Sequence, residues 1–183
     1  MLGLVFTSLV NMVESKYSYE FAAKVLDDAD LSTQGAYTSV GYYSFSELLS
    51  IIKVLSRKVQ IPLNELLTAF GEHLMRDIAS GHPHLLEHYR DLFDLLEKLD
   101  KEIHVTVKKL YSNASLPRFK VAFSNQRTMD LLYHSERRLE HLALGLLNEA
   151  SRMFDEAITT ELLPSDDDKF DVLIRIKKTN KVA

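Results

Sequence analysis

The apolar pattern of this chain changes period at Pro117. Before it, apolar residues recur at three- and four-residue spacing, as amphipathic helices require. After it, Phe170, Val172, Ile174 and Ile176 alternate with Asp171, Arg175 and Lys177, the period of a half-buried strand. Helices first, then hairpin, helix and hairpin, predict an α+β chain with a small antiparallel sheet.

The helical part divides at recognisable signals. Val5, Leu9, Met12 and Val13 fall on one face of an N-terminal helix, and YEFAAKVLDDADL gives a second. STQGAYTSVGYYSFS interrupts with glycines and β-formers. A helix over 45–59 starts near Ser46 and Glu47, and another opens with Pro62 and Asn64 and closes at Gly81. The longest periodic segment covers 82–112, with Tyr89, Leu92, Phe93, Leu96, Leu99, Ile103, Val107 and Leu110 as its apolar stripe. RFKVAFSN and TMDLLYHSE then read as a hairpin, RLEHLALGLLNEASRMFDEA as a helix, and 158–163 with 170–177 as a second hairpin. One domain over 1–183 is expected, in which 1–60 could pack as a helical subdomain.

Composition removes several functional classes. A net charge of -4 gives no electrostatic case for nucleic acid. No stretch approaches the roughly 20 apolar residues of a membrane span. The apolar N-terminus lacks the basic segment of a signal peptide, its first lysine being Lys16. Cysteine is absent, which excludes disulfides, thiolate metal sites and cysteine nucleophiles, and fits a reducing, cytoplasmic compartment. There is no nucleophile elbow and no glycine-rich phosphate loop, so a nucleotide enzyme is not expected.

Two features carry chemistry. Tyr133, Ser135 and Arg137 are spaced two apart. If 129–137 is extended, phenol, hydroxyl and guanidinium share one face, with His134 and Glu136 on the other. Such a row suits a ligand carrying carboxylates or phosphates. On spacing alone, a strand with a half-buried tyrosine and two solvated polar residues is the more ordinary reading. The second feature is His104, between Ile103 and Val105, about three helical turns from Phe93. An imidazole beside an apolar stripe needs a partner: a backbone carbonyl or helix end, or the iron of a planar cofactor. A haem has an apolar plate and two propionates, and the histidine and the donor row match its two ends. His82, His84 and His88 with Glu87 read as a solvated loop, because a third strong zinc ligand is missing beside the i, i+4 pair of His84 and His88.

With these residues the chain resembles the H-NOX family, the haem nitric oxide/oxygen-binding domains related to the sensor domain of soluble guanylate cyclase. The fingerprint is Tyr-x-Ser-x-Arg at Tyr133, Ser135 and Arg137, with a histidine about thirty residues upstream on a long helix, here His104. MLGLVF, AFGEHL at 69–74, SLPRF and LGLL at 144–147 resemble further family segments. The resemblance implies a helical N-terminal portion over a haem, with a four-stranded antiparallel sheet and helices below. It implies haem b with His104 as axial ligand, and Tyr133, Ser135 and Arg137 on the propionates. It also implies that Pro117 presses on the porphyrin, and that Val5, Leu9, Phe70, Leu74, Leu142 and Leu146 line the distal side.

Oxygen-binding members of the family carry a distal tyrosine five residues after the motif arginine, where this chain has Leu142. Bound O2 gains negative charge and needs a donor, whereas NO needs little. The resemblance thus implies a bacterial nitric oxide sensor that also binds CO. In it the Fe–His104 bond stretches or breaks on NO binding and so moves Pro117 and the His104 helix. As the domain fills the chain, signalling in trans to a histidine kinase or a cyclic-di-GMP enzyme is expected. The alternatives are a peroxidase-type haem enzyme or haem store, which the apolar distal set disfavours, and a haem-free module for another carboxylated ligand.

Overall fold

A computed structural model describes residues 1–82, 84 and 86–179. The chain divides into two compact units, residues 1–78 with 141–146, and residues 79–140 with those from 147 onward. The first unit thus runs well past residue 60 and takes in a short later segment.

The first unit is helical: α1 (Gly3–Lys16), α2 (Tyr19–Asp27), α3 (Phe45–Val59), most of α4 (Leu63–Gly81) and the first turns of α7 (Glu140–Met153). Its core comprises Phe6, Leu9, Met12, Val25, Leu48, Ile51, Leu55, Phe70 and Leu74, all buried. Caps set the boundaries. The Ser18 hydroxyl accepts from the Phe21 N–H to open α2, and Ser44 accepts from Ser46 to open α3. Gln60 closes α3 in the left-handed region, at φ 57°.

Glu47, expected only as a favourable charge in the first turn of α3, has a larger role. It is 4% exposed, and its carboxylate accepts from the hydroxyls of Ser32, Thr33 and Tyr37 and from the Thr33 N–H. Burial pushes this carboxyl up, but those hydrogen bonds outweigh burial and hold it at about 2. They order the glycine-containing stretch before α3, which lacks regular structure and returns to the N-terminus. The Gly3 N–H donates to the Gly41 carbonyl at 2.7 Å, and Leu2 bridges Tyr42. Phe6, Tyr37 and Tyr43 pack as a ring cluster with centroids 4.7 to 5.3 Å apart.

The second unit holds α5 (Leu92–Lys98), a π-helical turn (Leu99–Ile103), α6 (His104–Leu110) and four strands. These are β1 (Arg118–Ser124), β2 (Thr128–His134), β3 (Ala157–Pro164) and β4 (Val172–Thr179), in the order β1-β2-β4-β3, every pair antiparallel. Both expected hairpins form, and β4 rather than β3 lies beside β2. On one face Met129 and Leu131 stand opposite Ile176 and Ile174, all four at 0% exposure. On the other face Arg175 grips Asp130 through two parallel bonds of 2.8 and 2.7 Å. Lys178 ties the end of β4 to Glu156 (2.6 Å) and Asp91 (3.4 Å) and lies 4.4 Å from the Phe93 ring centroid.

The segment expected as one long helix is divided. Asp91 caps α5 by accepting from the Asp94 N–H, so Tyr89 lies outside the helix. Leu92, Phe93 and Leu96 are buried as expected. From the π turn onward the stripe fails: Leu99, Ile103 and Val107 are half-buried and Leu110 is 68% exposed. Within that turn the His104 N–H reaches back five residues to the Leu99 carbonyl. The longer loop shifts the phase of everything after it, which a constant 3.6-residue period cannot register.

Candidate functional site

His104 opens α6 directly after the π turn, a feature that recurs at functional sites. Its side chain is 15% exposed. Its partner is the side chain of Asp100, four residues back. The imidazole Nδ1 lies 2.7 Å from Asp100 Oδ1, while Asp100 Oδ2 accepts from the Phe119 N–H at 2.9 Å. A carboxylate only accepts, so Nδ1 is the donor, and Nε2 is the nitrogen that could offer a lone pair to a metal. Sequence reading missed Asp100. Its i, i+4 spacing to His104 was visible, but carboxylates at that spacing are common on solvated helix faces.

From His104 a row of rings leads to the donor motif. The His104 and Phe119 centroids are 5.9 Å apart, and those of Phe119 and Tyr133 5.3 Å. Tyr133 faces Phe119 across the β1–β2 ladder and is 2% exposed.

The motif itself is not extended throughout, as its spacing required. β2 stops at His134, and residues 135–138 turn: the Arg138 N–H donates to the Ser135 carbonyl at 3.0 Å, with Arg138 at φ 51°. The Arg137 N–H donates to the Ser135 hydroxyl at 3.2 Å, and the Tyr133 phenol bonds to Ser135 and the Leu139 backbone. The three residues do meet, through this turn rather than through a shared strand face. Asp171 pins it. Its carboxylate accepts from the Ser135 N–H at 2.9 Å and lies 3.2 Å from His134 Nδ1 and 3.5 Å from Arg138. The Asp171 N–H also donates to the Tyr133 carbonyl at 2.9 Å. Alternation had put Asp171 on the solvent side of a strand, but β4 begins one residue later.

Arg137 Nη1 donates to the Ser115 carbonyl at 2.9 Å, two residues before the half-buried Pro117. His104, Asp100, Phe119, Tyr133, Ser135, Arg137 and Pro117 therefore belong to one unit, joined by short contacts. This donor set fits a haem: an imidazole whose Nδ1 is engaged by Asp100, apolar ring surface beside it, and hydroxyl and guanidinium donors for carboxylates.

The expected distal residues all lie in the first unit. Leu9, Phe70, Leu74 and Leu142 are buried, and Val5 and Leu146 half-buried. Their helices are bound to one another. Ser8 on α1 donates to Asp77 on α4 at 2.6 Å, and α4 meets α7 at Gly71 and Gly145. His73 is held in the α1–α4 seam, its Nε2 3.2 Å from Asn11 Oδ1 and 3.4 Å from Asp77. Burial pushes this imidazole down, with Asp77 opposing.

His82, His84 and His88 are exposed, and His84 pairs with Glu87 at 2.8 Å. Pro83 and Leu85 of the same stretch lie outside the described residues. Among the described residues no group of three or more potential ligands clusters, and no helix is long and apolar enough to cross a membrane.

The arrangement is that of a haem-based gas-sensing domain. The family model described as haem-NO-binding matches residues 2–162, and the chain belongs to this H-NOX family of sensor domains rather than enzymes. Among similar solved structures is the unliganded Fe(II) H-NOX protein from K. algicida, 32% identical with a TM-score of 0.91, the match covering 100% of this chain and 99% of that one. The H-NOX from Shewanella woodyi, solved in its Fe(II)CO state with IWP-051 bound, is 36% identical, with a TM-score of 0.84 and coverage of 100% and 97%. That from S. oneidensis in its Fe(II)NO state is 27% identical, with a TM-score of 0.88 and coverage of 98% and 100%. No curated protein sequence matches the chain.

Proposed function

We propose that this chain is a bacterial, cytoplasmic nitric oxide sensor built on haem b, with His104 Nε2 as the axial ligand. The observation that carries the reading is the His104–Asp100 pair, which leaves one basic nitrogen available in the same unit as the Tyr133, Ser135 and Arg137 turn. Ferrous haem supplies the binding position for NO or CO; the protein supplies everything else. Arg137 and the Tyr133 and Ser135 hydroxyls would hold the propionates, and Pro117, tethered near Arg137 through Ser115, would pack on the macrocycle.

The choice of gas rests on the first unit. O2 needs a hydrogen-bond donor beside it, and the distal positions Val5, Leu9, Phe70, Leu74, Leu142 and Leu146 offer none. His73 is engaged by Asn11 and Asp77. His104 would be the residue through which a change at the haem reaches the protein. That change passes along α6 and β1 to a partner in trans, a histidine kinase or a cyclic-di-GMP enzyme.

The test is an anaerobic absorption spectrum of the purified ferrous protein, taken again with NO and then in air. A five-coordinate NO spectrum and no stable oxy form are expected. A stable oxy spectrum would refute the gas assignment, and a protein unable to take up haem would refute the whole reading.

A further inference from the structure

We infer that Asp100 is the positioning residue of the His104 ligand and, through it, a determinant of how strongly His104 holds iron. This rests on the haem reading above. Asp100 does two things at once. One carboxylate oxygen takes His104 Nδ1 at 2.7 Å, and the other takes the Phe119 N–H at 2.9 Å. The first contact selects the tautomer that presents Nε2 and strengthens the imidazole as a donor to a metal. The second anchors the carboxylate to the start of β1, so the imidazole plane is referred to the sheet as well as to its own helix.

The backbone makes this bridge necessary. Asp100 and His104 sit within and just after the π turn Leu99–Ile103, where the regular ladder of hydrogen bonds is broken. A ligand leaving such a turn is poorly fixed by its own helix, and no residue of α6 is buried. Among the contacts of the His104 side chain are the Asp100 carboxylate and the Phe119 ring, 5.9 Å away between centroids. Asp100 thus supplies the orientation that packing elsewhere provides.

The experiment compares wild type with Asp100→Asn and Asp100→Ala in the haem-loaded protein. Resonance Raman spectra of the unliganded ferrous form read the iron–histidine stretch. Transfer to an excess of a haem scavenger reads the rate of haem loss. We expect the stretch to fall in Asp100→Asn, and haem loss to rise about tenfold or more in Asp100→Ala, the usual scale for removing an outer-shell partner. In the diamagnetic ferrous CO complex, the His104 Nδ1 proton should give a slowly exchanging downfield resonance. This signal is read in wild type alone, so it stands even if a variant folds poorly. A stretch unmoved in a folded Asp100→Asn protein, or the absence of that proton, overturns the role of Asp100 alone. A wild type without an iron–histidine band, or one whose band survives His104→Gly, overturns the haem assignment and the role of Asp100 with it.

Discussion

Gly71 on α4 and Gly145 on α7 meet backbone to backbone: a methyl group added to Gly71 would stand 2.9 Å from the Gly145 Cα and against the Leu142 carbonyl oxygen. A methyl on Gly145 would likewise meet the Thr68 carbonyl oxygen and stand 2.8 Å from the Gly71 Cα. Helices can approach this closely only where both lack a Cβ. The crossing places Phe70 and Leu74 on one helix beside Leu142 and Leu146 on the other.

Gly71→Ala and Gly145→Ala are each expected to destabilise the protein by about 1–3 kcal/mol, the cost of overpacking a close contact. Denaturant unfolding measures it. Because both methyls would enter one contact, the double variant should cost less than the sum of the two.

Glu47→Gln is expected to cost about 2 kcal/mol at neutral pH, since charged hydrogen bonds to Ser32, Thr33 and Tyr37 are weakened at a buried site. The pH dependence follows from the carboxyl being held at about 2 against its ordinary 4.5. A lowered value in the folded state means the stabilisation is present above 4.5 and lost as the pH falls toward 2. The stability difference between wild type and Glu47→Gln should therefore shrink across that window. A difference constant from pH 7 to pH 3 would contradict the assigned role of Glu47.

Arg137→Ala is expected to weaken haem binding by about 10- to 100-fold, the range of a charged hydrogen-bonded contact. Arg137→Lys should recover only part of this, because an ammonium cannot reproduce the planar fork. Haem titration of the apoprotein gives both values. Equal affinity in wild type and Arg137→Ala would remove the guanidinium from the propionate site.

Leu142→Tyr places a phenol, a hydrogen-bond donor, among the buried apolar residues of the first unit. The ferrous variant is expected to form an oxy complex in air that wild type does not, seen by absorption spectroscopy. NO binding should persist in both, since NO needs little help from a donor.

The chain's local chemistry was legible in its sequence. The helices at 45–59 and 63–81 were bounded as observed, because their caps and apolar faces act over three or four residues. The two hairpins and the family itself were equally plain. What escaped the sequence depended on contacts between distant segments. The π turn before His104 moved every later residue of that helix out of phase. The donor motif converges in a turn held by Asp171, thirty-six residues beyond Ser135, rather than along a strand. Asp100 and Glu47 read as ordinary helix carboxylates until the fold delivered Phe119 to one and the stretch 32–37 to the other. The pairing of β2 with β4 was likewise open. Periodicity reports which side of an element is buried. Which distant group arrives there is decided by the tertiary structure, where a buried carboxylate or backbone N–H must find a partner.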